Sequence, residues 1–152
     1  MKNLVRLLQN AHSGEIAAFH AYEGHWRSVR DTSERIAIQL IQLDELRHRI
    51  EIYKFLTILA ARPNKYQDFL FFLIGKFLSG LCYCTGWLAP MWGALLIEQL
   101  GVVNYAELSI EANKEGFPTM AERLLDMGQK EREHEQYFLG KLKERKARNE
   151  NH

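Results

Sequence analysis

The sequence predicts an all-α fold: a bundle of four long amphipathic helices, with one short apolar helix between the second and third. Three observations predict it. Apolar residues recur three and four apart along most of the chain, the period of a helix with one buried face. No segment alternates apolar and polar residues as a half-buried strand would. Only three prolines interrupt 152 residues, and 47% of the residues are hydrophobic, so long helices can form and bury a core. One domain, residues 1–152, is the natural count at this length.

The first helix is expected from about Lys2 to Arg30, on a stripe of Leu4, Leu8, Ala11, Ala18, Phe19, Tyr22, Trp26 and Val29. Glu15 stands in the middle of that stripe. Asp31-Thr32-Ser33-Glu34 places short capping oxygens and an early acid where a second helix should start. That helix is expected to reach about Ala61 and stop near Pro63. Its stripe is Ile38, Ile41, Glu45, His48, Ile52, Phe55 and Leu59. From Phe69 to Ile97 the chain is nearly all apolar, with Lys76 the only charge. That length could span a bilayer. Gly80, Gly86, Pro90 and Gly93 interrupt it, however, and Glu98 closes it. A short apolar helix within an apolar segment (about residues 69–93) that does not easily span is therefore expected, with a break near Thr85 to Pro90. The third long helix follows from about Ala89 to Asn113, with Met91, Ala94, Leu95, Val102 and Tyr105 around Glu98. A turn at Glu115-Gly116-Phe117-Pro118-Thr119 leads into the fourth, from about Pro118 to Arg148. Its face carries Leu124, Met127, Glu131, His134, Phe138 and Leu142.

Lys+Arg 20 against Asp+Glu 19 leaves a net charge of +1, so no global field draws nucleic acid, and none is expected as a partner. Cys82 and Cys84 point apart on a helix and read as buried small apolar residues, with a reducing cytosol as the compartment. The first residues lack the apolar core of a signal peptide. The basic end from Lys141 to Arg148 reads as a solvated helix end, or as a weak contact with anionic lipid headgroups.

The chemistry lies in six residues. A single glutamate in an apolar stripe, Glu15, is followed about thirty residues later by Glu45-Leu46-Arg47-His48. The pattern recurs with Glu98 and Glu131-Arg132-Glu133-His134. An isolated buried carboxylate costs many kcal/mol, and no Lys or Arg stands within these stripes to pair one. Two divalent cations would satisfy all four carboxylates at once. One Glu from each of two helices and a Glu-x-x-His from each of the other two is the ligand arithmetic of the ferritin-like di-iron bundle. Carboxylate-rich ligation with one imidazole per metal suits two iron ions, or manganese, better than thiolate-seeking metals. Glu45 and Glu131 are the expected bridging ligands, Glu15 and Glu98 the terminal ones, and His48 and His134 each bind one metal.

The remaining polar residues are weighed against plainer roles. His12 is expected to be structural, His20 and His25 to lie at the surface or an interface, and His152 to be a disordered end. Asp44, next to Glu45, can accept the outer N–H of a metal-bound imidazole and fix its tautomer. Lys130 holds the matching place in the second motif, so this feature is not duplicated. Tyr22 and Tyr105 each lie seven residues after a glutamate, on the same face. Either can hydrogen-bond a ligand or line the oxygen site, and Tyr105 is the candidate catalytic residue.

The chain resembles the demethoxyubiquinone hydroxylase family, a membrane-associated branch of the ferritin-like di-iron proteins. The resemblance rests on Ala11-His12-Ser13-Gly14-Glu15 with Tyr22-Glu23-Gly24, on Glu45 to His48, and on the glycine-bearing run Phe72 to Gly80. Glu98 with Tyr105, and the pair Glu131 and His134, complete it. It covers about residues 10 to 140. Where the family often has His beside the tyrosine, Asn104 stands here. The resemblance implies O2-dependent ring hydroxylation of a polyprenylated quinone precursor in ubiquinone biosynthesis. It also implies a di-iron centre, an external electron donor such as NADH, and attachment to the inner face of a membrane from the cytoplasm. The expected partners are the lipid quinone precursor, O2 and a membrane surface, with a homodimer as an open assembly. Asp44 to His48 also looks like the Asp-Glu-x-Arg-His motif of bacterial multicomponent monooxygenases. Rival readings are a rubrerythrin-like peroxidase or ferritin-type oxidase, and a metal-free helical protein of the membrane surface.

Overall fold

The computed structural model describes residues 1–150, so His152 lies outside the described residues. Five helices follow one another: α1 (Lys2–Ser28), α2 (Thr32–Ile58), α3 (Lys65–Cys84), α4 (Leu88–Lys114) and α5 (Pro118–Glu150). The Asp31 side chain caps α2 by accepting from the Glu34 N–H at 2.9 Å. Asn64 caps α3 in the same way, accepting from the Gln67 N–H at 3.2 Å. The break after α3 covers Thr85–Trp87, and Gly86 takes the left-handed backbone there (φ 72°).

Four of the helices form the bundle. Trp26 and Gln42 meet at one end of the α1–α2 pair, and Gln9 and Arg62 at the other, so the two helices are antiparallel. Gln99 with Glu135 and Ser109 with Ala121 show the same for α4 and α5. Asn3 reaches Glu111, making α1 antiparallel to α4, and Glu51 reaches Arg123, making α2 antiparallel to α5. Every adjacent pair therefore alternates, and α2 and α4 run the same way. A long connection must carry the chain back between them, and α3 is that connection.

The apolar helix was expected to be short. It has 20 residues, beginning at Lys65, because the Asn64 cap and the first-turn Asp68 start it ahead of the apolar run. It runs parallel to α1 and packs along it almost backbone to backbone. A Cβ on Gly75 would lie 2.6 Å from the Ala17 carbonyl oxygen, and one on Gly24 would lie 2.3 Å from that of Ser79. Polar contacts pin the same seam: Gln67 to Asn10, Asp68 to His12 and Ser13, and Lys76 to Glu23. Its outer face, with Phe69, Leu73 and Phe77, is exposed, and beside it lies an exposed α4 stripe of Leu88, Trp92, Leu96 and Leu100. By length and composition α3 is long and apolar enough to cross a membrane.

The bundle core divides in two. One cluster around Leu4, Leu8, Ile52 and Leu124 fills the end where α1 begins. The other, around Ile38, Met91, Leu95 and Phe138, fills the opposite end. Fully burying each such side chain stabilises the fold by roughly 1.5–3 kcal/mol. That offsets what lies between the clusters, a layer of buried acids and imidazoles.

Candidate metal centre

All six residues singled out by spacing meet in that layer. Glu15 comes from the middle of α1, Glu45 and His48 from α2, Glu98 from α4, and Glu131 and His134 from α5. Each is buried; Glu98 is 0% exposed, and Glu45 and Glu131 are 2% exposed. They form two overlapping sets of four. One ligand atom each from Glu15, Glu45, His48 and Glu131 lie within 4.8 Å of one another. The same holds for Glu45, Glu98, Glu131 and His134. Glu45 and Glu131 belong to both sets. Glu131 packs closely against α4: a Cβ on Gly101 would stand 2.3 Å from the carboxylate oxygen, so any side chain there would displace the carboxylate.

Several polar atoms of this layer are left without a partner. Nδ1 of His48 lies 2.7 Å from Oε1 of Glu131, yet neither atom makes a hydrogen bond of acceptable angle. Oε2 of Glu15 and Oε1 of Glu45 are also buried without a partner. Buried polar groups are paired in almost all folded proteins, so four orphans in one layer require an explanation. Ligand atoms this close together that leave lone pairs unused are what a shared cation needs. A donor set of four carboxylates and two imidazoles fits divalent iron or manganese.

Electrostatics say the same. Burial, and then the charge of Glu45, push the carboxyl of Glu15 well above its usual range. Burial and Glu98 do this to Glu45, and burial and Glu45 to Glu131. Burial next to His134 pushes His48 down to about 4. Burial alone would lower His134 too, but its contacts with Glu98 and Asp44 outweigh this and raise it. Without cations, the cluster can keep its charge low only by holding protons.

Around the six lies a shell with a twofold pattern. The Tyr105 hydroxyl donates to Glu15, and the Tyr22 hydroxyl donates to Glu98. Each tyrosine thus serves the glutamate of the facing helix, not the one seven residues before it. Asp44 meets an imidazole as expected, and that imidazole belongs to the other motif: His134 Nε2 lies 3.2 Å from Asp44 Oδ2. His134 Nδ1 faces inward, 3.2 Å from Glu98 and 3.5 Å from Glu45. Lys130 is turned to Glu133 instead, at 2.5 Å.

Other expectations are corrected. His25, expected at the surface or an interface, is 2% exposed within the bundle, enclosed by Tyr22 and Phe138, because it follows Tyr22 on the inward face of α1. Cys84, expected to be buried with Cys82, is exposed, since side chains two apart on α3 face opposite ways. His12 points away from the carboxylates, its Nδ1 3.1 Å from Asp68 on α3.

A cavity of about 560 Å³ opens onto this layer. Its floor holds Glu15, Glu45, Glu131 and Tyr105, and its walls are mostly apolar residues of α1, α3 and α4, among them Ala18, Phe71, Ile74 and Leu100, with Asn10, Gln67, Asn104 and Glu107 also in the lining. Sequence reasoning did not locate it, because it exists only where α3 leans on α1 and leaves α4 nearly free. The one sequence trace of it is a glycine inside an apolar helix, Gly101, which lines it. Comparison with models of known families, with curated proteins and with solved structures gives no match.

Proposed function

We propose that the protein is a ferritin-like di-iron, O2-dependent monooxygenase that hydroxylates the ring of a polyprenylated quinone precursor, as the demethoxyubiquinone hydroxylases do. The observation that carries the reading is the pair of overlapping four-ligand sets, sharing Glu45 and Glu131, at the floor of a mostly apolar cavity. Glu15 and His48 would complete one iron position, and Glu98 and His134 the other. Two bound ferrous ions would supply two electrons to O2 so that one oxygen atom enters the ring and the other leaves as water, an external donor restoring the pair. NADH is one such donor.

The residues of this chain do the positioning. The cavity walls take the lipid tail and keep bulk water from the floor, which strengthens every electrostatic interaction there. Tyr105 lines the cavity and donates to Glu15, so it fixes a terminal carboxylate at the point where a ring would arrive. Asp44 orients the His134 imidazole from outside. The exposed apolar faces of α3 and α4 lie beside the cavity and suit a monotopic seat in one leaflet on the cytoplasmic side of the membrane. A lipid substrate would then reach the floor without crossing water.

The first test is iron content after anaerobic Fe(II) loading, beside a Glu45→Ala, Glu131→Ala double variant. About two irons per chain, lost in the variant, are expected from the ligand count, and quinone precursors with O2 come next. No stoichiometric iron in the native chain, or equal iron in both, would leave a helical protein of the membrane surface. Sedimentation with anionic vesicles tests the seat separately.

A further inference from the structure

α2 has two apolar faces. The inner one, with Ile38, Ile41, Ile52 and Phe55, is buried in the bundle and carries Glu45 and His48. The outer one carries Ile36, Leu40, Leu43, Ile50 and Ile58, all exposed. It lies between two engaged flanks. Gln42 bonds the Phe19 carbonyl of α1, and Asp44 and Glu51 meet His134 and Arg123 of α5. Ile36, Leu40, Leu43, Arg47, Ile50 and Lys54 follow one another at alternate steps of four and three residues. That is the period of a seam that packs against another helix.

The charges of this face tell what covers it. Arg47 and Lys54 interrupt its apolar row, which does not suit lipid. The apolar run from Phe69 to Ile97 holds one charge, Lys76, and that turns to Glu23. Neither α3 nor α4 packs on α2, so a lipid seat there leaves the outer face of α2 uncovered. Each cation of the row has an acid beside it: Arg47 lies 2.6 Å from Asp44, and Lys54 lies 3.1 Å from Glu51. The row is thus balanced in sign and complements a copy of itself. Setting two rows antiparallel, with Leu40 against Ile50, also sets Leu43 against Arg47 and Ile36 against Lys54. Twofold symmetry makes each contact twice. The aliphatic stems of the two cations then cover Leu43 and Ile36. At the centre, Asp44 and Arg47 of one copy meet Arg47 and Asp44 of the other, so unlike charges are neighbours. A parallel pair would instead stack Arg47 on Arg47 and Lys54 on Lys54.

We propose that the outer face of α2 is an interface for a second copy of this chain, packed antiparallel across Leu40, Leu43 and Ile50. The interface goes beyond the hydroxylase reading and needs no metal. Asp44 holds His134 from outside, so Arg47 of the second copy reaches the outer shell of the candidate centre. A face one helix wide, about 40 Å by 10 Å, is small for a specific interface, so the dimer depends on concentration.

Sedimentation equilibrium of the whole protein tests it, in a nonionic detergent that covers the α3 and α4 face. Between about 1 and 100 µM, where small interfaces dissociate, the native chain should pass from monomer to dimer. Leu43→Asp should weaken association at least about tenfold, the scale of one central interface residue. Phe77→Asp, on the outer face of α3, should leave it unchanged. Both positions are exposed, so both variants keep the bundle, as circular dichroism checks. Orientation is read with a short bismaleimide linker in a Cys84→Ser background. A copy bearing Ile36→Cys should link to a copy bearing Lys54→Cys and not to its own kind. A monomer throughout the range, unchanged association in Leu43→Asp, equal weakening by Phe77→Asp, or Ile36→Cys copies linking to each other instead would overturn the proposal. None of these readouts depends on iron content or turnover, so the interface and the hydroxylase reading stand or fall separately.

Discussion

The two halves of the candidate centre, α1 with α2 and α4 with α5, contribute the same residues and have different surroundings. Each half supplies a lone Glu, a Glu-x-x-His and a tyrosine that bonds the other half's glutamate. Outside the imidazoles the likeness ends. His134 has Asp44 at its outer nitrogen, whereas the position in α5 that matches Asp44 is Lys130, which turns to Glu133. His134 is accordingly raised and His48 held down to about 4. Duplication thus accounts for the inner ligands, while the outer contacts make the two positions chemically unequal. Both halves reach the large cavity, but unequally: of the two terminal glutamates only Glu15 lines it, and of the two tyrosines only Tyr105.

Variants that break this comparison should act in a graded way. The largest effect belongs to the shared residues. Replacing both Glu45 and Glu131 by alanine should remove all iron, whereas Glu98→Ala should remove the ion on its own side and leave about one per chain by the ligand count. Iron analysis after Fe(II) loading distinguishes the two outcomes.

Next in size is the pH dependence of stability. Glu15, Glu45 and Glu131 have raised pKa values when folded, and so does His134. Such groups stabilise the fold fully below their unfolded values, and the contribution is lost as pH rises through the folded ones. His25 and His48, held down to about 4, contribute in the opposite sense, but only below an unfolded value of about 6.5. Between pH values of about 6.5 and 8.5 only the raised groups, the three carboxyls and His134, still change the balance, so they decide the sign. The metal-free protein should melt lower at the upper pH, by roughly 3 °C for each kcal/mol lost. The Fe(II)-loaded protein should not, because its carboxylates are held deprotonated by the metal. Calorimetry of both forms at the two pH values checks this, and an equal fall in both would count against a cation in the cluster.

Smaller effects separate the tyrosines and the outer shell. Tyr105→Phe should keep both irons and lower turnover by about tenfold, the scale of losing one outer-shell hydrogen bond. Tyr22→Phe, away from the large cavity, should lower it less. Equal losses would remove the distinction between the halves. Asp44→Asn should weaken iron about tenfold at one position only, read as a biphasic Fe(II) titration. The smallest change is expected from Lys130→Asp, which gives His48 a nearby acid and should bring the two affinities closer together.

Helical content, helix starts and the six inward residues were legible in the sequence, because each follows from local rules. Stripe periodicity put Leu8, Ile52, Leu124 and Phe138 on buried faces, and they are fully buried. Asp31 was read as a cap and caps α2. A carboxylate inside such a stripe must point where the stripe points, so Glu15, Glu45, Glu98 and Glu131 had to converge if the helices formed a bundle. The length of α3, the burial of His25 and the exposure of Cys84 were misread. Each depends on which neighbour a face meets, and a single helix does not state that.

The sequence by itself thus determined the helices, their inner faces and the donor set of the centre, since a helical period and the cost of an unpaired buried charge leave few alternatives. The tertiary structure decided the rest. It paired each tyrosine with the opposite glutamate, gave Asp44 to His134 and laid α3 along α1 through Gly24 and Gly75. In leaving α4 nearly free of α3, it opened the cavity above Glu15. The physical reason is one of range. Periodicity acts within a few turns of one helix, whereas a cavity is the space that several helices fail to fill together.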